Sequence, residues 1–158
     1  MTFFHILKEL ITALENHNIW YRVVGGLAVD GLSKKLTRIH DDIDIIIDEA
    51  QLKDIQEIFG IPDELYPHKL LFYFSGIKVE MGRFIRNECR FLHHTWPKGL
   101  IKAQKAFLRG ITFNVPSPTL LLSTRLEDNR KKGRHDKELL LKVGADIKVA
   151  TRYKYTRQ

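Results

Sequence analysis

Apolar residues recur every three or four positions through the first sixteen residues, a spacing that places them on one face of a helix. They are Phe3, Ile6, Leu7, Leu10, Ile11 and Leu14. Over residues 19–24 the pattern changes to β-branched and aromatic residues, which predict a strand that ends at Gly25-Gly26. A short helix is expected next, over residues 27–32.

A second strand and a third helix are predicted in the segment that follows. Four isoleucines interrupted only by Asp44 occupy residues 43–47, and such a run predicts a strand that is largely buried on both faces. Asp48 stands three residues before Gln51, the spacing of a capping box at a helix start. The apolar positions after it predict a helix that ends at Gly60.

Two hairpins are predicted further along the chain. Residues 70–74 and 77–81 are strand-like and are separated by Ser75-Gly76, a two-residue connection that suits a tight hairpin. A second hairpin is expected to turn at Arg109-Gly110. These antiparallel pairs make the predicted sheet mixed.

The C-terminal segment is predicted to be helical. Ser117 and Pro118 have the preferences of an N-cap and a first helical position. A second helix is expected over residues 136–143, with Gly144 as its stop. The basic segment TRYKYTRQ, residues 151–158, is expected to be mobile.

Length and composition describe one compact domain. The chain has 158 residues, of which 44% are hydrophobic and 28% charged, which excludes fibres, channels and disulfide-rich miniproteins. No apolar run reaches the roughly 20 residues that cross a bilayer, and no signal peptide is recognisable. The single cysteine, Cys89, fits a cytoplasmic location. We expect an α/β core over residues 1–116 and a helical portion over residues 117–158, with a basic tail from about 145.

Basic residues concentrate in the last part of the chain. Residues 1–97 hold 11 Lys and Arg against 14 Asp and Glu, whereas residues 98–158 hold 15 against 5. The basic part attracts polyanions such as nucleoside triphosphates, RNA or an acidic partner, and charge alone does not choose among them.

Asp42 and Asp44 form the first candidate site. Alternate residues of a strand point to the same face, so both carboxylates are expected on one face, where they can clamp a divalent cation. A bare pair with this spacing is more often a solvated strand end. Here the isoleucine run follows directly, so the acids stand at the entrance to a buried strand, where a metal would offset their desolvation.

Glu80 is predicted on the second arm of the first hairpin, on a polar face with Lys78 and Gly82. If that face adjoins Asp42 and Asp44, three carboxylates converge, as a two-metal phosphoryl-transfer site requires. The alternative is a solvated hairpin glutamate.

Gly25 and Gly26 close the first strand and open a short helix. Backbone N–H groups at such a helix start can cradle phosphate. Most glycine pairs, however, only satisfy a turn that needs positive φ.

Other chemically capable residues are assigned to structure. His93 and His94 would point to opposite faces of a strand and have no acid at ligand spacing. Cys89 has no recognisable base partner and is expected to be a packing residue. Three aromatic residues can stack on a base or an acceptor ring, although core packing is the commoner role. They are Tyr66, Phe91 and Trp96.

The run VVGGLAVDGLSKKLTRIHDDIDIIID, residues 23–48, resembles the core of the polymerase β-type nucleotidyltransferase superfamily. Its GG-x-A-x-D, T-R-x-H and D-I-D elements are more closely similar to those of small lincosamide and aminoglycoside nucleotidyltransferases. The resemblance implies an α/β (α+β) nucleotidyltransferase fold, with a mixed twisted sheet flanked by helices and a short helical C-terminal portion.

The resemblance also implies roles for individual residues. Two Mg²⁺ ions would be held by Asp42, Asp44 and Glu80, the last as a ligand or as the general base. Asp30 and His40 would brace the loop between the glycines and the strand. The implied nucleotide-binding residues are Gly25, Gly26, Arg38 and Lys132.

The late segment, residues 117–140, matches the family only in part. The tripeptide at 134–136 is Arg-His-Asp, where a lysine is expected before the aspartate. The choice between Arg125 and Lys132 as a phosphate contact therefore stays open, and the favoured alternative is a basic helix that only faces solvent.

The implied activity is Mg²⁺-dependent transfer of a nucleoside monophosphate from a nucleoside triphosphate, ATP by default, to a hydroxyl of a small molecule. Aminoglycoside and lincosamide antibiotics are the expected acceptors, and pyrophosphate is released. One alternative is a toxin-type nucleotidyltransferase that acts on tRNA or protein, which the basic C-terminal part would suit. Another is a catalytically inactive RNA-binding or interaction module. No membrane partner is expected, and a homodimer is considered because related small enzymes often place the acceptor between subunits.

Overall fold

The computed structural model describes residues 2–156, which contain six α-helices and nine strands. The helices are α1 (Phe3–Asn16), α2 (Gly25–Ser33), α3 (Leu52–Phe59), α4 (Pro118–Ser123), α5 (Lys131–Lys142) and α6 (Ile147–Arg152). The strands are β1 (Tyr21–Val24), β2 (Asp42–Asp48), β3 (Glu64–Leu65), β4 (Lys69–Phe74), β5 (Ile77–Phe84), β6 (Arg90–Phe91), β7 (His94–Thr95), β8 (Gln104–Leu108) and β9 (Ile111–Val115). The predicted α/β fold with a mixed sheet and flanking helices is confirmed.

The central sheet has the strand order β1-β2-β5-β4-β3. β2 runs parallel to β5, and the other neighbouring pairs are antiparallel. The hairpin predicted over residues 70–81 is the β4–β5 pair. The register of β2 and β5 places Asp44 opposite Glu80 and Ile46 opposite Gly82. Since paired residues of neighbouring strands project from the same face, Asp44 and Glu80 lie side by side.

The two faces of β2 have different surroundings. One face is fully buried in the main core, against which α1 packs. Its residues are Ile43, Ile45 and Ile47. On the other face Asp44 and Ile46 are only partly buried and line a cleft. Burial is therefore complete on one face and only partial on the other, because the apolar run does not reveal what lies across from the strand.

The start of α3 differs from the prediction. Asp48 accepts a hydrogen bond from the Ala50 N–H at 3.0 Å, but Gln51 does not complete a capping box. Its side chain instead accepts from the Trp20 N–H at 2.8 Å and donates to the Asn18 carbonyl at 3.1 Å. Gln51 therefore bonds to the segment between α1 and β1, where the prediction expected a bond at the start of its own helix.

The helix α5 also begins differently from the prediction. The helix expected over residues 136–143 is α5, which starts at Lys131 because Asp128 anchors its first turn. Asp128 Oδ1 accepts from the Arg130 N–H at 3.1 Å. A Cβ at Gly133 would lie 2.3 Å from the Asp128 carboxyl carbon, so glycine permits this approach.

Most of the segment expected as a mobile tail is ordered, so that prediction is wrong. Asp146 caps α6 with its side chain. The Tyr155 N–H donates to the Ser123 carbonyl at 3.0 Å, and the Tyr155 ring stacks on Trp96 with a centroid distance of 5.9 Å. The Asp146 cap and the packing of the Tyr155 ring hold this segment in place, although most of its residues are polar. Residues 157–158 of the predicted tail lie outside the described residues.

β8 and β9 form a separate two-stranded sheet, which confirms the second predicted hairpin. The hairpin packs on α2, where a Cβ at Gly31 would lie 2.6 Å from the Phe113 ring. Between residues 2 and 156 no helix combines the length and apolar character needed to cross a membrane.

Candidate active site

A cavity of about 620 Å³ opens over the cleft face of β2 and β5. Asp44, Glu80 and Gly25 line its acidic end, together with the basic side chains of Lys69 and Arg125. Aromatic and aliphatic side chains line the rest. The cavity therefore has a charged end and an apolar end on one sheet face.

Asp44 lies in the charged end with its Oδ1 atom buried and without a hydrogen-bond partner among residues 2–156. Burial, the negative charge of Asp42 and a hydrogen bond with Glu80 raise the pKa of Asp44 to about 7, and the Arg125 charge opposes this rise. A buried carboxyl oxygen without a partner costs free energy. Asp44 is therefore arranged to take up a proton or a cation.

Glu80 is held by Lys69, whose Nζ atom lies 2.6 Å from Glu80 Oε1. Partial burial raises the pKa of Glu80, but the hydrogen bonds from Lys69 and Asp44 and the Lys69 charge outweigh it, so the net pKa lies below its usual value. Glu80 thus carries the negative charge while its neighbour Asp44 holds a proton up to neutral pH.

Gly25 begins α2 against this acidic pair. Its φ is +70°, and a Cβ there would lie 2.9 Å from Asp44 Oδ2 and 3.6 Å from Arg125 Nη2. Both the positive φ and the close approach require glycine. The N-cap residue Val24 provides no side-chain hydrogen bond. The first N–H groups of α2 therefore have no side-chain cap at a place where an anion can bind.

Asp42 lies two residues before Asp44, and its charge reaches Asp44. Its side chain is exposed and does not line the cavity. In the described part of the chain, no group of three or more His, Cys, Asp or Glu side chains is arranged to hold a metal ion. The structure brings Asp44 and Glu80 together and leaves Asp42 at the margin.

Asp30 and His40 brace the loop before β2, as predicted. Asp30 Oδ2 lies 2.7 Å from His40 Nε2 and accepts from the Thr37 N–H at 3.1 Å. The Thr37 hydroxyl donates to Asp30 Oδ1 and lies 2.7 Å from His135 Nε2. Burial raises the pKa of Asp30, but the hydrogen bonds from His40 and Thr37 together lower it by more, so the net pKa is below its usual value.

Gly26 and Arg38 pack against each other outside the main cavity. A Cβ at Gly26 would lie 1.8 Å from Arg38 Nη2, so glycine makes room for the guanidinium group. Arg38 Nη2 lies 3.4 Å from Asp136 Oδ2, and Arg125 Nε lies 3.5 Å from the same oxygen. Asp136 thus joins the two arginines, only one of which lines the main cavity.

Three of the four residues predicted to bind nucleotide are divided between two cavities, and Gly26 lines neither. Gly25 lines the main cavity, whereas Arg38 and the exposed Lys132 line a second cavity of about 550 Å³. Between Arg125 and Lys132, the choice left open by the sequence, Arg125 is the one beside Asp44.

Lys69 was missed by the sequence reasoning, although a signal was present. The two-residue turn of the β4–β5 hairpin sets a register in which Lys69 pairs with Gly82. Lys69 is then the diagonal neighbour of Glu80, and diagonal side chains on one face can touch.

The apolar end of the cavity contains an aromatic wall, defined here as the rings of Phe84, Phe91, Trp96 and Tyr155. Tyr66, also considered for stacking, lies outside this cavity. Cys89 is buried, as expected of a packing residue.

The histidine pair is assigned a structural role by the sequence. His94 Nε2 lies 2.9 Å from the Tyr153 carbonyl, and the His94 ring packs edge-on to Trp96. His94 therefore ties the β6–β7 segment to the end of α6.

A sequence model of the aminoglycoside-2''-adenylyltransferase family matches residues 6–61. A comparison with curated proteins gave no match.

Solved structures of antibiotic adenylyltransferases have a similar fold. A solution structure of the antibiotic-resistance factor ANT(2'')-Ia aligns with a TM-score of 0.75 and 16% identity over 94% of this chain and 86% of that one. A structure of ANT(2'')-Ia with adenylyl-2''-tobramycin aligns with a TM-score of 0.72 and 18% identity over 92% and 91% of the two chains. The lincosamide antibiotic adenylyltransferase LnuA, bound to lincomycin, aligns with a TM-score of 0.70 and 16% identity over 90% of this chain and 98% of that one. The chain therefore resembles small antibiotic nucleotidyltransferases in sequence over residues 6–61 and in fold over nearly its whole length.

Proposed function

We propose that the protein is a nucleotidyltransferase that moves a nucleoside monophosphate from a nucleoside triphosphate, ATP by default, to a hydroxyl of a small molecule and releases pyrophosphate. The observation that carries the proposal is the buried, unpartnered Asp44 oxygen beside Glu80 and the uncapped start of α2. The structural neighbours bind lincomycin and adenylyl-2''-tobramycin, so lincomycin and tobramycin are examples of acceptors to test. Action on such a drug would make the protein a resistance enzyme.

The chemistry of Asp44 and Glu80 fits Mg²⁺, which prefers carboxylate oxygens. The unfilled Oδ1 of Asp44 offers one ligand, and Glu80 and the exposed Asp42 are available on the same side of the sheet. When bound, two ions would neutralise charge on the triphosphate and lower the pKa of the attacking hydroxyl. Binding would displace the proton that Asp44 holds, since its carboxylate form is the ligand.

The triphosphate is proposed to lie at the start of α2. The uncapped N–H groups and the positive end of the helix favour an anion there. Arg125, close to Gly25, supplies a guanidinium for phosphate oxygens. Arg38 and Lys132, which line the second cavity, remain predicted nucleotide-binding residues.

Glu80 is proposed to take the proton of the acceptor hydroxyl. The hydroxyl oxygen attacks the α-phosphorus, the bond to the bridging oxygen breaks, and pyrophosphate leaves. Lys69 keeps Glu80 ionised and oriented, so that the carboxylate is ready to accept.

The test is pyrophosphate release by the purified chain with each of the four nucleoside triphosphates, against aminoglycosides, lincosamides and tRNA. Asp44→Asn should lower turnover by about 10³-fold, and Glu80→Gln should lower kcat more than it weakens nucleotide binding. Asp41→Asn, at an exposed neighbouring aspartate, is the matched control and should leave turnover unchanged.

Two results would contradict the proposal. Release with tRNA alone would favour the nucleic-acid enzyme. No release with any donor, combined with RNA affinity that survives Asp44→Asn, would favour an inactive binding module.

A further inference from the structure

The aromatic wall is partly open and firmly supported. The Trp96 indole N–H donates to Ser123 Oγ at 3.0 Å, and Trp96 and Tyr155 stack with an interplanar angle of 17°. Phe91 and Tyr155 are only partly buried. Gly82 leaves room for this wall, since a Cβ there would lie 3.3 Å from the Phe91 ring. The partly exposed rings of Phe91 and Tyr155 are therefore held in place at the cavity, next to the buried rings of Phe84 and Trp96.

The wall is continuous with the charged end of the cavity. Ile46 follows Asp44 by two residues on β2, and Phe84 follows Glu80 by four on β5, all on the cleft face. At about 3.3 Å per residue these steps span about 7 and 13 Å. A molecule that stacks on the wall can therefore place a hydroxyl beside Asp44 and Glu80.

Charge in the cavity opposes a polycationic ligand. Asp44 and Glu80 are the acids that line it in the described residues, and Glu80 is already paired with Lys69. Arg125 is itself paired with Asp136 at 3.5 Å, so among the described lining residues Asp44 is the one acid without an ion pair, on a chain with a net charge of +7. A ligand with several ammonium groups would therefore find a single unpaired carboxyl group in the cavity, too few to balance its charge.

We propose that the aromatic wall binds an uncharged, planar ring system that carries the acceptor hydroxyl, and that the site rejects polycations such as tobramycin. The assignment of the ring to an acceptor rests on the proposed function. Burial of ring faces on aromatic side chains supplies affinity, and the shortage of unpaired acids supplies discrimination.

The donor base has the same ring chemistry as this acceptor. The two possible occupants of the wall, the acceptor ring and the donor base, differ in whether bound nucleotide competes with a free ring compound. If the wall holds the acceptor, bound nucleotide leaves the wall open.

Binding of 2-(2-naphthyl)ethanol and of tobramycin, each measured by titration calorimetry without turnover, tests the wall directly. The wild-type chain should bind the naphthyl alcohol at least about tenfold more tightly than tobramycin. Phe91→Ala should weaken the naphthyl alcohol about tenfold. Tyr73→Ala, which removes a half-exposed ring outside the cavity, is the matched control and should change neither affinity.

Leu92→Asp tests the charge argument without a large core substitution. Leu92 lines the cavity, is 40% exposed and has a φ of +54°, a conformation that aspartate tolerates better than leucine. The added carboxylate should strengthen tobramycin binding and weaken naphthyl alcohol binding, each about tenfold. Ile61→Asp, 93% exposed and outside the cavity, should change neither.

The same titrations with saturating α,β-methylene-ATP and MgCl₂ separate acceptor from donor base. Retained affinity for the naphthyl alcohol supports the acceptor assignment, whereas its competitive displacement would give the wall to the donor base and overturn the proposal. Tighter wild-type binding of tobramycin, or no effect of Phe91→Ala and Leu92→Asp, would also overturn it. Because these are binding measurements, ring binding without any pyrophosphate release would contradict the proposed function and leave the wall assignment in place.

Discussion

Asp30 and Asp44 are two carboxyl groups withdrawn from water, and their surroundings are opposite. Asp30 is 1% exposed, and both its oxygens are engaged by Thr37 and His40. Asp44 has an oxygen without a partner and an acid, Glu80, beside it. One pKa is lowered and the other raised. A buried carboxylate whose oxygens are all hydrogen-bonded stabilises the fold. One with an unpartnered oxygen gains a partner only when a ligand binds.

The largest effect is expected from Asp30→Asn. The amide would replace an acceptor that serves three hydrogen bonds, and breaking a buried charged network costs about 3–5 kcal/mol of unfolding free energy. Urea denaturation measures this loss. Asp41→Asn, at an exposed site, should change stability by less than about 0.5 kcal/mol. A loss at Asp30 no larger than this control would break the comparison.

Asp44→Asn is expected to stabilise the fold in the absence of divalent ions, whereas Asp30→Asn destabilises it. At pH 7.5 the variant removes a carboxylate that is costly to bury, so the free energy of unfolding should rise by about 1–2 kcal/mol. Adding MgCl₂ should raise the melting temperature of the wild type and not of the variant. Destabilisation by Asp44→Asn would show that the group is structural after all.

The two aspartates also predict stability slopes of opposite sign with pH. The folded chain keeps the Asp44 proton up to about pH 7, so between about pH 4 and 7 it binds more protons than the unfolded chain and its stability falls as pH rises. The lowered pKa of Asp30 makes stability fall as pH drops below about 4. Asp44→Asn should flatten the first slope alone, as measured by urea denaturation at several pH values.

Gly25→Ala sharpens the comparison through a matched pair of glycines. Gly25 and Gly60 both have positive φ, but only Gly25 has a neighbour at 2.9 Å, which is Asp44. Each alanine should cost about 1 kcal/mol for its backbone conformation. Gly25→Ala should additionally abolish nucleotide binding by calorimetry, and Gly60→Ala should leave it intact. Equal nucleotide binding by the two variants would separate Gly25 from the site.

The smallest effect on stability is expected from Lys69→Met. The Lys69–Glu80 pair is partly exposed, so its loss should cost less than about 1 kcal/mol. Without Lys69 the pKa of Glu80 rises, and the acidic limb of the kcat/KM profile should move to higher pH. An unmoved limb would show that Glu80 does not take the proton.

The sequence predicted the elements around the charged end well, because each depends on local signals. Alternating residues are enough to predict the strand that begins at Asp42, and a two-residue turn is enough to predict the hairpin at Ser75-Gly76. The glycine pair marks the start of α2. The pairing of β2 with β5 is long-range and could be expected only through the family resemblance.

The errors arose where distant contacts outweighed local pattern. Gln51 bonds to the β1 connection instead of its own helix start, and Tyr155 stacks on Trp96, which orders the chain end. Arg125 and Lys132 are equally basic in the sequence, and only the packing of α4 beside α2 shows which lies near Asp44. Such choices depend on which elements meet, information that no local window of the sequence contains.

The pairing of β2 with β5 determines what becomes of molecules that fold with these strands in the wrong register. Because side chains alternate between faces, a slip of one residue would move Glu80 into the isoleucine core and bring Val79 to the cleft. Burying a glutamate among isoleucines is too costly for a stable fold. Molecules in which β5 is misregistered should therefore be lost to aggregation or proteolysis, and they should not accumulate as intact but inactive protein.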